Sequence, residues 1–148
     1  MTQTNALDLV IKEPSIISFS PLSRFEPVLS IACSSCHTML LTKLGTVYSC
    51  GDGSDGQLGH NTAQSLSTFR LIDFFNNTND NRIIVKEISV GSDDTSSHSA
   101  AIDLNYKLYT WGKSVICGHV GTDSNPRSNI AVPKLVKVLE VRKINLRF

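Results

Sequence analysis

Apolar residues in this chain fall in short runs broken by polar or glycine-rich stretches, and no run keeps helical spacing. Val28 to Cys33 reads as a strand. His37 to Thr42 and Gly45 to Cys50 read as a hairpin whose turn includes Gly45, free to take positive φ. Asp52 to Gly59 is too rich in glycine and aspartate for a helix, and Thr68 to Phe74 returns as an apolar strand. Ile83 to Val90 alternates partly with a period of two. Ser99 to Asp103 and Lys107 to Trp111 form a second predicted hairpin, turning through Asn105 and Tyr106, where Asn tolerates left-handed geometry better than Tyr. Ala131 to Leu139, with Pro133 inside it, suits an edge or outer strand. Ser15 to Phe19 is a further short strand candidate among Pro14, Pro21 and Pro27. Phe75 to Asn81, Ser92 to Ser97 and Lys113 to Arg127 are the intervening polar loops. Eight or more strands and no helix predict an all-β fold.

The two hairpins are copies. Setting His37 on His98 brings Leu41 onto Ile102, Val47 onto Leu108, Tyr48 onto Tyr109 and Gly51 onto Gly112 without a gap. After one inserted residue, Gly56-Gln57-Leu58-Gly59 meets Gly118-His119-Val120-Gly121. A chain that repeats one supersecondary unit is a repeat protein. The division that follows is a lead-in, or the end of a preceding repeat, over 1–27, a first repeat over 28–82, a second over 83–139, and the start of an incomplete third over 140–148.

Composition narrows the class. The 148 residues are 41% hydrophobic and 18% charged, which is globular, and the formal net charge of +1 gives no overall drive toward nucleic acid or an anionic membrane. No apolar run reaches the length of a spanning helix, and Met1 to Lys12 lacks the basic start and apolar core of a signal peptide. A nuclear or cytoplasmic protein with mostly reduced cysteines is the expectation.

Ile31-Ala32-Cys33, His37-Thr38, Leu41-Thr42, Gly45, Val47-Tyr48-Ser49, Gly51 and Gly56-Gln57-Leu58-Gly59 together resemble one repeat of the regulator of chromosome condensation (RCC1) family. Val90-Gly91, His98-Ser99, Ala101-Ile102, Leu108 to Gly112 and Gly118 to Gly121 resemble a second. The resemblance implies a partial β-propeller of about two blades, where the family's propeller is seven-bladed. Two blades leave sheet faces uncovered. The chain alone is therefore expected to be aggregation-prone or partly ordered, and a fragment of a larger propeller.

Several motifs suggest other chemistry. Cys33-Ser34-Ser35-Cys36-His37 spells the c-type haem pattern, but it bridges a strand end and a hairpin start, where the repeat itself places a small-residue turn before the histidine. A redox pair or half of a zinc site is the alternative, yet Cys50 and Cys117 form no second C-x-x-C. Small, partly buried thiols are the simpler reading. His37 and His98, at matching positions, fit a structural role in which the ring donates to a neighbouring carbonyl. Asp52 and Asp55 lack the ligand spacing of a calcium loop and suit turn chemistry, and Asp93 and Asp94 form the other carboxylate pair. Gly51 to Gly59 is not a phosphate loop, since no Gly-Lys-Ser/Thr ends it. Tyr109 and Trp111 read as packing. Lys134, Lys137, Arg142, Lys143 and Arg147 form a mild basic cluster that suits a solvated face, with phosphate or acidic-partner binding as the alternative.

No catalytic, cofactor-binding or metal-ligating residue is assigned, and no cofactor is expected. The expected function is a non-enzymatic protein–protein interaction module with no membrane and no small-molecule substrate. The resemblance also implies alternatives: a guanine-nucleotide exchange factor for a small Ran-like GTPase, or the propeller part of a ubiquitin ligase or kinase; it leaves chromatin open as a partner, one that the net charge does not indicate. Partner choice is expected in Asn76 to Asn81, Ser92 to Ser97 and Lys113 to Arg127, where the copies differ.

Overall fold

In the computed structural model, residues 26–76, 82–92, 97–113 and 129–136 are described. They form two four-stranded antiparallel sheets, each a meander in sequence order. The first holds β1 (Val28–Cys33), β2 (His37–Thr42), β3 (Val47–Gly51) and β4 (Leu66–Leu71). The second holds β5 (Val85–Ser92), β6 (Ser97–Asp103), β7 (Leu108–Gly112) and β8 (Ile130–Leu135). The all-β partial propeller stands, with one short 3-10 turn, Asp73–Asn76, as the departure from strand.

The hairpins follow their sequence pattern. Met39 pairs with Ser49 and Leu41 with Val47 in the first; Ala101 pairs with Tyr109 and Ser99 with Trp111 in the second. Opposed residues share a face, so each pair presents its side chains to one side of its sheet. In the first sheet Met39, Leu41 and Val47 look toward the second, which answers with Ala101, Tyr109 and Trp111. The first hairpin turns through Gly45 at φ 77°, while in the second it is Tyr106, not Asn105, that takes φ 61°. Asp103 makes that tolerable: its Oδ1 accepts from the backbone N–H groups of Asn105 (2.8 Å) and Lys107 (2.9 Å) and fixes the turn.

Two expectations are corrected. The strand expected over Thr68 to Phe74 is β4, Leu66–Leu71, and Phe74 and Phe75 lie in the 3-10 turn. Phe75, placed in a polar loop by its FNNTNDN context, is 2% exposed and wedges between the sheets. Its ring meets Tyr109 edge-on at 5.6 Å and Trp111 at 5.8 Å. The β-strand drawn over Ile83 to Val90 runs Val85–Ser92, and a bulge between Val85 and Glu87 breaks its alternation. β8 is an edge strand that carries Pro133, and Val136 follows it; residues 137–139 of the expected strand lie outside the described residues. The Ser15 to Phe19 candidate and the incomplete third repeat also lie outside them.

Candidate interaction surface

The glycine-rich loop after β3 joins the two sheets. Gln57 is fully buried, and its backbone carbonyl accepts from Ser99 Oγ and from Trp111 Nε1, each at 2.8 Å. Only a loop without side chains at two positions comes this close. Gly56 (φ 79°) would set a Cβ 2.8 Å from Ala131 Cα, and Gly59 (φ 82°) one 2.9 Å from Trp111 Nε1. The Gln57 amide holds the loop from within: Nε2 donates to Asp52 Oδ2 (2.9 Å) and Oε1 accepts from the Asp55 N–H (2.8 Å). Asp52 also accepts from Ser54 and Ser65, and the Ser54 hydroxyl leads in holding its carboxyl below the usual range. Asp52 is therefore the turn-former expected of it.

Asp55 is not. It reaches the second sheet, where Oδ1 accepts from Lys113 Nζ (3.1 Å) and Asn129 Nδ2 (3.2 Å) and Oδ2 accepts from the Ser97 N–H (3.2 Å).

His37 completes the seam. Its Nε2 is 2.9 Å from Ser99 Oγ and its Nδ1 2.9 Å from Ser34 Oγ. Ser99 gives its one hydroxyl proton to the Gln57 carbonyl, so Nε2–H donates to Ser99 and Nδ1 is the acceptor nitrogen, with the Ser34 hydroxyl shared between it and the His37 carbonyl (3.1 Å). The ring bonds two hydroxyls, one in each sheet, in place of the expected carbonyl. Both nitrogens lie within hydrogen-bond reach of a hydroxyl. His98 does not repeat the arrangement. β5 and β6 pair through Gly91↔His98 and on to Ser92↔Ser97, so His98 sits within a ladder, its ring over Gly91, whereas His37 follows directly on the Ser34–Cys36 turn.

Burial, with the nearby His98 second, lowers the His37 pKa to about 4. As pH falls, the unfolded chain's imidazole protonates near 6.5 and the folded one only near 4. Stability from this group is complete above about 6.5 and is lost progressively between about 6.5 and about 4. Urea midpoints should fall across that window, and His37→Gln should flatten the fall. His60 is lowered in the same direction, chiefly by burial, so a residual slope remains.

Among the described residues Cys33, Cys36 and Cys50 are free thiols. Cys33 and Cys50 flank Thr38 in register, two strand spacings apart (about 10 Å), against a disulfide limit of about 7 Å between Cα atoms. Burial first, then Cys33, pushes the Cys50 thiol up and makes it a poor nucleophile. Cys36 Sγ lies 3.0 Å from Ser97 Oγ, another link across the seam. Among the described residues no group of three or more His, Cys, Asp or Glu is placed to hold a metal. Tyr109 and Trp111 are buried packing residues, as read. Of the basic cluster only Lys134 is described, and it is engaged rather than free. Asp93, Asp94, Cys117 and nearly all of the three variable loops lie outside the described residues; of the loops, Phe75's neighbour Asn76, Ser92, Ser97 and Lys113 are inside.

Two antiparallel four-stranded meanders packed face to face, the first fastened to the second by the loop after its third strand, are consecutive blades of a β-propeller. Profiles of the regulator of chromosome condensation (RCC1) repeat match residues 28–57 and 45–102, and the chain belongs to the RCC1 repeat family. The chain is 36% identical, over 76% of its length, to the X-linked retinitis pigmentosa GTPase regulator of Canis lupus familiaris, of which it spans 10%. It is 37% identical, over 70% of its length, to the human E3 ubiquitin-protein ligase HERC2, of which it spans 2%. Against a bifunctional serine/threonine-protein kinase/NEDD4-like E3 ubiquitin-protein ligase of Dictyostelium discoideum it is 29% identical over 82% of its length and spans 6% of that protein. The crystal structure of human WBSCR16 superposes with a TM-score of 0.58 at 25% identity, covering 77% of this chain and 26% of that one. Prp20p from Saccharomyces cerevisiae, described together with its binding to Gsp1p and histones, gives 0.59 at 23% identity, covering 78% and 27%, and supports the fold. No described helix is long and apolar enough to cross a membrane.

Proposed function

We propose that this chain is a non-catalytic protein-binding module: two RCC1-type blades that present loops from a rigid frame to a protein partner. The observation that carries it is the seam. His37, Ser99, Asp55 and the Gln57 carbonyl are spent on joining the blades, and Asp52 and the Gln57 amide on holding the loop that joins them, so the site that looks most chemical in the sequence is a fastening. A fastened frame suits recognition, because the turns at its ends are held at fixed separations. Nuclear or cytoplasmic residence fits its free thiols. The test is chemical crosslinking in native extract with mass-spectrometric mapping. Intermolecular crosslinks from the exposed Lys43, Lys86 and Lys107 to another protein are expected, and crosslinks confined to the chain itself would overturn the reading.

A second reading is regulation of a small GTPase, favoured by the relative named as a GTPase regulator. Exchange acts by binding GTPase states differentially and needs no catalytic side chain on the propeller. The parent protein mixed with a Gsp1p-type GTPase carrying fluorescent nucleotide should speed its release under this reading. An unchanged release rate removes it and leaves the binding module, including a role as the propeller part of a ligase or kinase, in place.

A further inference from the structure

At the end of the blades opposite the Gln57 loop, both hairpin turns and the segment entering β5 form one continuous rib. Leu104 N–H donates to the Ile84 carbonyl at 2.9 Å, Val85 N–H to Gly45 at 3.1 Å, and Arg82 Nη2 to the Leu44 carbonyl at 2.9 Å. Lys86 Nζ sits 4.7 Å over the Tyr106 ring. Along the rib Leu44 is 50% exposed, Ile84 41%, Leu104 54% and Tyr106 46%. Large apolar side chains at four adjoining turn positions, where polar residues cost nothing, form a patch of the kind that marks an interaction site. Tyr106 adds an independent sign: a bulky residue at φ 61° occupies a position suited to Gly or Asn, and strain of this kind is kept where a side chain must be presented.

The charge at the rib chooses the partner. Lys43, Arg82, Lys86 and Lys107 are exposed beside the apolar residues. Among the described carboxylates facing them, Glu87 pairs with Lys86 at 3.3 Å and Glu26 accepts from Thr46, while Asp103 is buried and turned onto its own backbone. The described groups here are four cations, Lys43, Arg82, Lys86 and Lys107, against three carboxylates, Glu26, Glu87 and Asp103, an excess of one positive charge, whereas at the opposite end Lys113 offsets Asp55 and leaves Asp52.

We infer that this rib docks an acidic protein segment, one whose large apolar or aromatic side chain seats among Leu44, Ile84, Leu104 and Tyr106 while flanking carboxylates meet Arg82, Lys86 and the neighbouring lysines. The inference rests on the binding-module reading and names its surface and its partner's chemistry.

A random-peptide display library panned on the whole protein tests it. Selected peptides should carry Asp or Glu around Leu, Phe or Trp. Their affinity should fall about tenfold or more in Leu104→Ser/Tyr106→Ser and in Arg82→Glu/Lys86→Glu, and should weaken as salt is raised. Arg82→Glu/Lys86→Glu also removes the Arg82 bond to the Leu44 carbonyl and the Lys86–Glu87 pair and should lower the melting midpoint slightly, so binding is compared at a temperature where circular dichroism shows every variant folded; Leu104→Ser/Tyr106→Ser keeps both contacts. Enrichment of basic or purely apolar peptides, equal binding to the folded variants, or no enriched binder each overturns the rib as this site. Protein crosslinks that map elsewhere on the chain, with the rib silent, overturn the rib alone and leave the module reading standing.

Discussion

Replacing Trp111 with alanine should lower the unfolding free energy by about 3–5 kcal/mol, the usual cost of deleting a buried aromatic ring from a packed core. Trp111 is fully buried, lies against Phe75, and donates to the Gln57 carbonyl from the other blade. The loss therefore has two parts, a cavity between the sheets and a seam carbonyl left with Ser99 as its remaining donor. Trp111→Phe separates them. It keeps most of the ring, removes the N–H, and should cost about 1–2 kcal/mol. Urea unfolding followed by circular dichroism measures both. Equal losses for the two variants would show that the hydrogen bond, not the ring, dominates, and a loss below about 1 kcal/mol for alanine would deny Trp111 its place in the core.

Phe75→Ala should be nearly as severe, again about 3–5 kcal/mol. Its ring is 2% exposed and packs on Phe74 (5.2 Å) as well as on Tyr109 and Trp111, which belong to the second blade. Phe75 follows β4 of the first blade, so its loss should weaken both sheets. Because Phe75 and Trp111 touch, the double alanine variant should lose less than the sum of the single losses. Additive losses would place the two rings in separate clusters.

The short apolar strands bounded by turn residues are readable from sequence. β1 and β2 have the bounds their patterns gave, and the hairpins of both copies fall where His37 aligns on His98. A short apolar run and the turn residues that bound it are local properties, and the sequence carries them locally. What was not legible depends on docking. Phe75 sits in a polar context, and nothing near it in sequence signals that a 3-10 turn folds it under the second blade. Asp55 read as turn chemistry because its partners, Ser97, Lys113 and Asn129, lie 42, 58 and 74 residues away. The importance of the Gln57 carbonyl was hidden as well, since a backbone acceptor has no side-chain signature. The available signal was the recurrence of paired glycines around it, which marks a loop that must approach something closely. The two histidines aligned perfectly yet differ in role, because the connection before the second is longer and the β5–β6 ladder runs on past it.

The seam also explains why a chain of modest charge spends so many polar groups internally. Ser34, His37, Ser99, Gln57 and Trp111 form an unbroken line of hydrogen bonds through the blade interface. Satisfied in this way, buried polar groups fix one relative placement of the sheets that apolar packing alone would leave free to slide. That fixed placement holds the rib's two turns side by side.

Native-state hydrogen exchange, read amide by amide in the protein and in Phe75→Ala, tests most directly whether the two blades are one cooperative unit. The prediction is that amides of β2 and β3 and those of β6 and β7 share one opening free energy, and that Phe75→Ala lowers protection in both hairpins by the same amount. Two separate opening free energies, or a loss confined to one hairpin, would contradict it.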